Sequence, residues 1–213
     1  MTSKSHWTPT YLYNRTTEVI YRKMHPTSPW LARSAIELLD GFLRPTDVGL
    51  EFGSGTSTRW FAQRIGSLTS VEHHAEWYQT VKKMLADERL DNTELIFVEK
   101  QNSNGGEADH MARYAGVADR FADESLDIAL VDGIYREACA LKVLPKIRTG
   151  GILIIDDANR YLPANSQTPY ARRPEAGPKS AEWQEILDQV SHWRRLWTSN
   201  GVRDTVMFLK VAK

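Results

Sequence analysis

Residues 50–58 read LEFGSGTST, an apolar run that ends in a Gly53-Ser54-Gly55 turn with one carboxylate, Glu51, two residues before it. Glycines let the backbone turn sharply and approach a ligand without Cβ interference. Thr56, Ser57 or Thr58 is placed to cap a following helix, whose N-terminal amides point back at the turn. A second acid, Glu72, closes the next apolar run, and three more carboxylates stand at later run ends: Asp132 after IALV, and Asp156 with Asp157 after ILII. A glycine turn holds a ligand. Carboxylates at strand ends accept protons, orient hydroxyls or bind cations.

Three ligands suit such a turn. A phosphate loop ends in Gly-Lys-Ser/Thr, and this stretch has no lysine. A dinucleotide loop is G-x-G-x-x-G, and its last position is Thr58 here. S-adenosylmethionine remains, and Glu51 favours it. An anionic side chain beside a pyrophosphate is repelled, whereas beside an α-ammonium and a sulfonium it is attracted. Glu72 is then placed for ribose hydroxyls, a role an acid there has in NAD proteins too.

The elements that must position these groups are legible in the periodicity. Apolar runs at Val48–Phe52, Leu68–Glu72, Glu94–Val98, Leu126–Val131, Gly151–Ile155, near Trp193–Thr198 and at Asp204–Val211 predict strands. Helical stripes fall between them: Leu31, Ala35, Leu38, Leu39 and Phe42; Trp77, Val81, Met84 and Leu85; Ala140, Val143, Leu144 and Ile147; Trp183, Ile186, Leu187 and Val190. These stripes read as helix-to-sheet packing, and the alternation as an α/β domain with a mostly parallel sheet. Lys100–Asp123 and Ala158–Lys179 escape the pattern and read as loops after strand ends, where open sheets place ligands.

The chain has 213 residues, enough for one domain, with 27 basic and 27 acidic residues. Zero formal charge and no basic stripe argue against nucleic acid as a partner, and no apolar stretch reaches the ~20 residues of a membrane span. The first 20 residues lack a secretory block and Cys139 is the only cysteine, so a cytoplasmic protein is expected.

The segments VGLEFGSGTSTRWFA, LTSVEHHAEWY, LDIALVDGIYREACALKVLPKIRTGGILIIDDANRY and NGVRDTVMFLK resemble successive motifs of class I S-adenosylmethionine-dependent methyltransferases. The likeness is to a small bacterial branch with E-F-G-S-G, S-V-E-H and V-D-G, and it runs in order from about Trp30 to Lys210. It implies a Rossmann-like, doubly wound, mostly parallel seven-stranded sheet with the last strand antiparallel. One such domain is expected over residues 1–213, with an N-terminal helical segment over 1–45 and, from its loop composition, a lid over 158–179. By the same resemblance Glu51, Gly53, Ser54 and Gly55 line the methionine moiety, with Ser57 at the third small position of the turn. Glu72 and His73 flank ribose and adenine, and Asp132 and Gly133 border the sulfonium and the acceptor. Asp156-Asp157 departs from the Asp-Asn pair that relatives often carry.

Methyl transfer needs alignment and, for a hydroxyl acceptor, a base. Asp132 and Asp157 are the expected catalytic groups, with O-methylation of a small molecule as the expected reaction. The three acids Asp132, Asp156 and Asp157 either act as base and orienter or hold Mg²⁺. The metal-free arrangement is favoured, because Arg136 and Arg160 lie close in sequence. None of the six histidines has metal-ligand spacing; His110 reads as a surface-loop residue and Cys139 as a small hydrophobe. The 158–179 loop, with Arg160, Tyr161, Tyr170, Arg172 and Arg173, reads as a solvated lid or a grip for an anionic or aromatic acceptor, and Asn165–Pro174 as carrying little core. Two other readings stay open: a non-catalytic S-adenosylmethionine-binding module, and an NAD-dependent oxidoreductase.

Overall fold

A computed structural model describes residues 7–100 and 106–212. Seven strands, β1 (Val48–Phe52), β2 (Ser67–Glu72), β3 (Thr93–Phe97), β4 (Leu126–Val131), β5 (Ile147–Ile155), β6 (Arg194–Ser199) and β7 (Asp204–Leu209), form one sheet in the order β3-β2-β1-β4-β5-β7-β6. The first five pair in parallel, and β7 inserts antiparallel between β5 and β6. The helices are α1 (Pro9–Met24), α2 (Arg33–Phe42), α3 (Thr56–Ala62), α4 (Ala75–Asp87), α5 (Gly106–Ala115), α6 (Arg136–Val143) and α7 (Ala181–Gln189).

Strand alternation divides the core into two layers. Along β4, Ile128 and Leu130 join Leu31, Ala35 and Leu39 around α2, together with Trp60 and Phe61 of α3. Ala129 and Val131 point the other way, onto Cys139 and Val143 of α6, Tyr114 of α5 and Trp183 of α7. The central strands are thus buried on both faces, which is why they read as continuous apolar runs. Cys139 packs as the small hydrophobe expected of it and is fully buried.

Several sequence readings need correction, among them Leu38, read as core and 48% exposed. Lys100–Asp123 is not a loop throughout: α5 and a 3-10 turn, Gly116–Arg120, occupy most of it, and residues 101–105 lie outside the described residues. The buried face of α5 is His110, Tyr114 and Ala115, so no apolar stripe announces it. An Asp109–Arg113 pair at i, i+4 supports its outer face. β5 starts at Ile147, four residues before the sequence suggests, because the turn-like Thr149-Gly150-Gly151 is taken into the strand with Gly150 at φ +83° and a register shift against β4. Trp77, read as core, is 42% exposed.

The carboxyl ends of β1, β2, β4 and β5 converge at one edge. Two non-glycine residues there hold positive φ, Tyr135 (50°) just after β4 and Asp157 (51°) just after β5. Such conformations persist where surrounding contacts over-determine them, and they concentrate at sites.

Candidate active site

The glycine turn is built on close backbone approach. Gly53 has φ +96°, and a Cβ there would stand 2.6 Å from the Gly133 nitrogen. A Cβ on Gly133 would stand 2.2 Å from the Tyr114 hydroxyl, which donates to the Val71 carbonyl. The β1 and β4 ends therefore meet glycine to glycine. Gly133→Ala is expected to destabilise the fold by about 1–2 kcal/mol, seen as a lower urea midpoint at unchanged slope. An unchanged midpoint would mean that Tyr114 moves aside freely.

Gly55, rather than a hydroxyl residue, is the N-cap of α3. Thr58 reaches back instead: its Oγ1 accepts the Gly55 N–H at 2.8 Å and donates to Glu51 Oε2 at 2.5 Å. Ser70 Oγ donates to the same oxygen at 2.6 Å. Glu51 is fully buried beneath the turn, and its Oε1 has no partner among the described residues. Burial pushes its carboxyl up to about 7, against the lowering effect of the nearby Ser57, Ser70 and Thr58 hydroxyls and with the Glu72 charge adding to the rise.

Glu72 is the opposite case. Oε2 accepts from Ser54 N (3.2 Å) and Ser54 Oγ (2.8 Å), Oε1 accepts from His73 N and His74 N, and His73 Nδ1 lies 3.1 Å away. Burial would raise this carboxyl, but His73, His74 and Ser54 outweigh it and hold it at about 2. Glu72 is an anion at any working pH and Glu51 is poised near neutrality. Two carboxylates, two environments.

Around these groups lie two adjoining cavities. One, of about 590 Å³, is lined by Gly53, Ser54, Glu72, His73, His74, Glu76, Trp77, Thr80, Asp132, Gly133 and Ile134. The other, of about 210 Å³, is lined by Trp30, Gly53 to Ser57, Trp77 and Asp132. Every cofactor-binding residue expected from sequence borders one or both, except Glu51, which lies behind the turn. Trp30 and Trp77 were missed. Trp77 Nε1–H donates to the Ser54 carbonyl at 2.7 Å, so its ring closes over the turn. A tryptophan four residues after His73, at the start of a helix leaving the site, was the available signal.

The three later acids do not converge on one ligand. Asp132 lines both cavities; its Oδ1 accepts from Arg136 Nη2 at 2.8 Å, and its Oδ2 has no hydrogen-bond partner among the described residues. Arg136 also donates to the carbonyls of Asp132, Gly133 and Asp156, tying the ends of β4 and β5 together. Desolvation holds the Asp132 carboxyl above the usual aspartate range; the Arg136 charge opposes that, and Asp157 adds to the rise. Asp157 lies 3.7 Å from Arg160 Nε. Asp156 is turned inward, 1% exposed, onto Thr205 and Arg203 of the β7 end. Among the described residues no group of three His, Cys, Asp or Glu side chains is placed to hold a metal ion.

His110 is a fully buried residue of α5, not a surface-loop histidine. Its Nδ1 is 3.0 Å from the Tyr135 hydroxyl and its Nε2 3.0 Å from the Val98 carbonyl. A hollow of about 540 Å³ beside them includes His73, Gly133, Ile134, Tyr135, Tyr161 and Lys179. Ala158–Lys179 is pinned rather than free. Leu162, Ser166 and Thr168 are buried, Asn159 donates to the Pro169 carbonyl, and Thr168 donates to Asp204. Within Asn165–Pro174 no residue joins the hydrophobic core, as expected, and the two buried side chains there, Ser166 and Thr168, are polar. Arg172 donates from Nε and Nη2 to the carbonyls of residues 176–178.

Residues 50–158, just over half of the chain, match the family described as a methyltransferase domain. Solved structures share the fold at low identity. A methyltransferase-like protein from Silicibacter pomeroyi superposes with TM-score 0.59 at 19% identity, over 87% of this chain and 90% of that one. An rRNA methylase from Streptococcus thermophilus gives 0.54 at 15%, over 84% and 95%. A Streptococcus mutans protein in complex with S-adenosylhomocysteine gives 0.51 at 12%, over 83% and 97%. Among curated proteins none matches the chain. No helix among the described residues is long and apolar enough to cross a membrane.

Proposed function

This chain belongs to the methyltransferase-domain family, and on that premise we propose that it moves the methyl group of S-adenosylmethionine to a hydroxyl of a small molecule. The observation that carries the acceptor part is Asp132: one oxygen is clamped by Arg136, the other has no hydrogen-bond partner among the described residues, and it stands where the two cavities meet. The residues present suit the cofactor. Glu72 offers an anionic acceptor to ribose hydroxyls, Gly53 and Gly55 admit close backbone approach, and Glu51 holds a buried oxygen beneath the turn with no partner among the described residues.

When bound, S-adenosylmethionine supplies a methyl group already activated by its sulfonium. The protein then has two tasks, alignment and proton removal. In this reading Asp132 Oδ2 takes the proton of the acceptor hydroxyl, and Arg136 holds the carboxylate in place throughout. Asp157 acts through Asp132, its charge raising the basicity of that carboxyl. Residues 158–179 are proposed as a lid on the acceptor side, since Tyr161 and Lys179 face the hollow next to Gly133 and Ile134. Neutral overall charge supports a small molecule over nucleic acid.

The test is calorimetric titration with S-adenosylmethionine, S-adenosylhomocysteine and NAD, followed by an acceptor screen with radiolabelled methyl donor. Binding of the first two but not NAD, with label moving to phenols or alcohols, is expected. Label moving to an RNA fragment would overturn the acceptor class, and binding without any transfer would favour a non-catalytic module.

A further inference from the structure

The buried end of β5 is linked across β7 to the residues just before α2. Asp156 Oδ1 accepts the Thr205 hydroxyl proton at 2.6 Å, and Oδ2 lies 3.5 Å from Arg203 Nη1. Each of these partners reaches further. Thr205 Oγ1 accepts the Ala32 N–H at 3.0 Å, and the same Arg203 Nη1 donates to the Trp30 carbonyl at 2.6 Å. The Thr205 hydroxyl bridges the two, with its oxygen accepting from the Ala32 N–H and bonded to the Asp156 carboxyl. Two short paths thus join one carboxylate to backbone groups on either side of Leu31.

Trp30 is the residue they hold. Trp30, 53% exposed, lines the smaller cavity together with Gly53 to Ser57, and the Arg22 guanidinium lies 4.6 Å from its ring centroid. We infer that Asp156 is a positioning residue: through Thr205 and Arg203 it sets where Trp30 stands at the glycine-turn cavity, and so how tightly that cavity closes on its ligand. It does not join Asp132 in taking a proton. Both its oxygens face the core, 1% exposed, and neither cavity includes it. The inference rests on the reading of that cavity as the S-adenosylmethionine site.

The relay separates cleanly from bulk packing. Thr205→Val keeps a β-branched side chain and deletes the hydroxyl, while Thr205→Ser keeps the hydroxyl and deletes a methyl group. Thr205→Val is expected to bind S-adenosylhomocysteine about tenfold more weakly, the scale of one buried hydrogen bond, and Thr205→Ser to stay within about twofold of the original protein. Acrylamide quenching of Trp30 fluorescence, isolated by difference against Trp30→Phe, should rise in Thr205→Val and not in Thr205→Ser. If Thr205→Val does not fold, Arg203→Met severs the second path and should give the same two changes. Folded Thr205→Val or Arg203→Met with unchanged affinity and unchanged quenching would overturn the inference. If the original protein binds no S-adenosylhomocysteine, the reading of the cavity fails, and the quenching comparison, which needs no ligand, still decides the anchoring.

Discussion

Asp132→Asn is expected to lower kcat for methyl transfer by about 10²–10⁴-fold, the range a positioned general base supplies. Affinity for S-adenosylhomocysteine should change only a few-fold. The substitution keeps the shape and leaves Arg136 its carbonyl partners on Asp132, Gly133 and Asp156. It removes the carboxylate oxygen that lies at the cavity junction and has no hydrogen-bond partner among the described residues. Because desolvation holds this carboxyl above the usual aspartate range, kcat/KM should fall as pH drops through that raised pKa, and the acid limb should lie above an ordinary aspartate's. Chelation by EDTA should leave turnover unchanged. If EDTA abolishes activity and Mg²⁺ restores it, the acids are ligands and the base assignment is wrong. An Asp132→Asn protein of full activity would move the site elsewhere.

Glu51→Gln should weaken S-adenosylmethionine binding by about ten- to hundredfold, or ~1.5–3 kcal/mol, the scale of a buried charge a few ångströms from a cationic ligand. Glu51 touches neither cavity wall, so its effect is that of a buried charge beneath the turn. Its carboxyl titrates at about 7, and a cationic ligand favours the ionised form. By linkage, binding to the original protein should therefore release protons near neutral pH and tighten as pH rises from about 6 to 7.5. In Glu51→Gln both effects should vanish, which calorimetry in buffers of different ionisation enthalpy reads directly. The stability of the ligand-free protein should move the other way. A carboxyl raised from its ordinary 4.5 to about 7 favours the fold fully below pH 4.5, and that contribution is lost as pH rises through about 7. At pH 8 Glu51→Gln should thus unfold no earlier than the original protein. A large drop in its midpoint there, or pH-dependent binding that survives the substitution, would show that Glu51 is a structural acceptor for Thr58 and Ser70 only.

What the sequence by itself determined is what is local along the chain. Continuous apolar runs and helical stripes of 3.6 are local, so β1 and β4 were legible to the residue and the other strands to within one or two residues at each end, save the start of β5. The turn that Gly53 builds is contiguous, and Glu51 and Glu72 end the strands flanking it, so this part of the candidate site could be read from spacing. Residues 106–115 could not, because the face that α5 buries is histidine, tyrosine and alanine, and burial of such a face depends on what Val98 and Tyr135 offer it. Nor could the fates of the three aspartates, identical in type and each at a strand end. Only the tertiary structure decided them: β7 enters antiparallel between β5 and β6 and brings Thr205 and Arg203 beside Asp156, 49 and 47 positions away. The same strand reaches Ala32 and Trp30 across 173 positions. Asp156 is turned into the core because partners wait there, whereas Asp132, held at one oxygen by Arg136, keeps the other at the cavity. A carboxylate's role is set by which of its oxygens the fold leaves unpaired, and that is a property of contacts between distant segments, which no local pattern encodes.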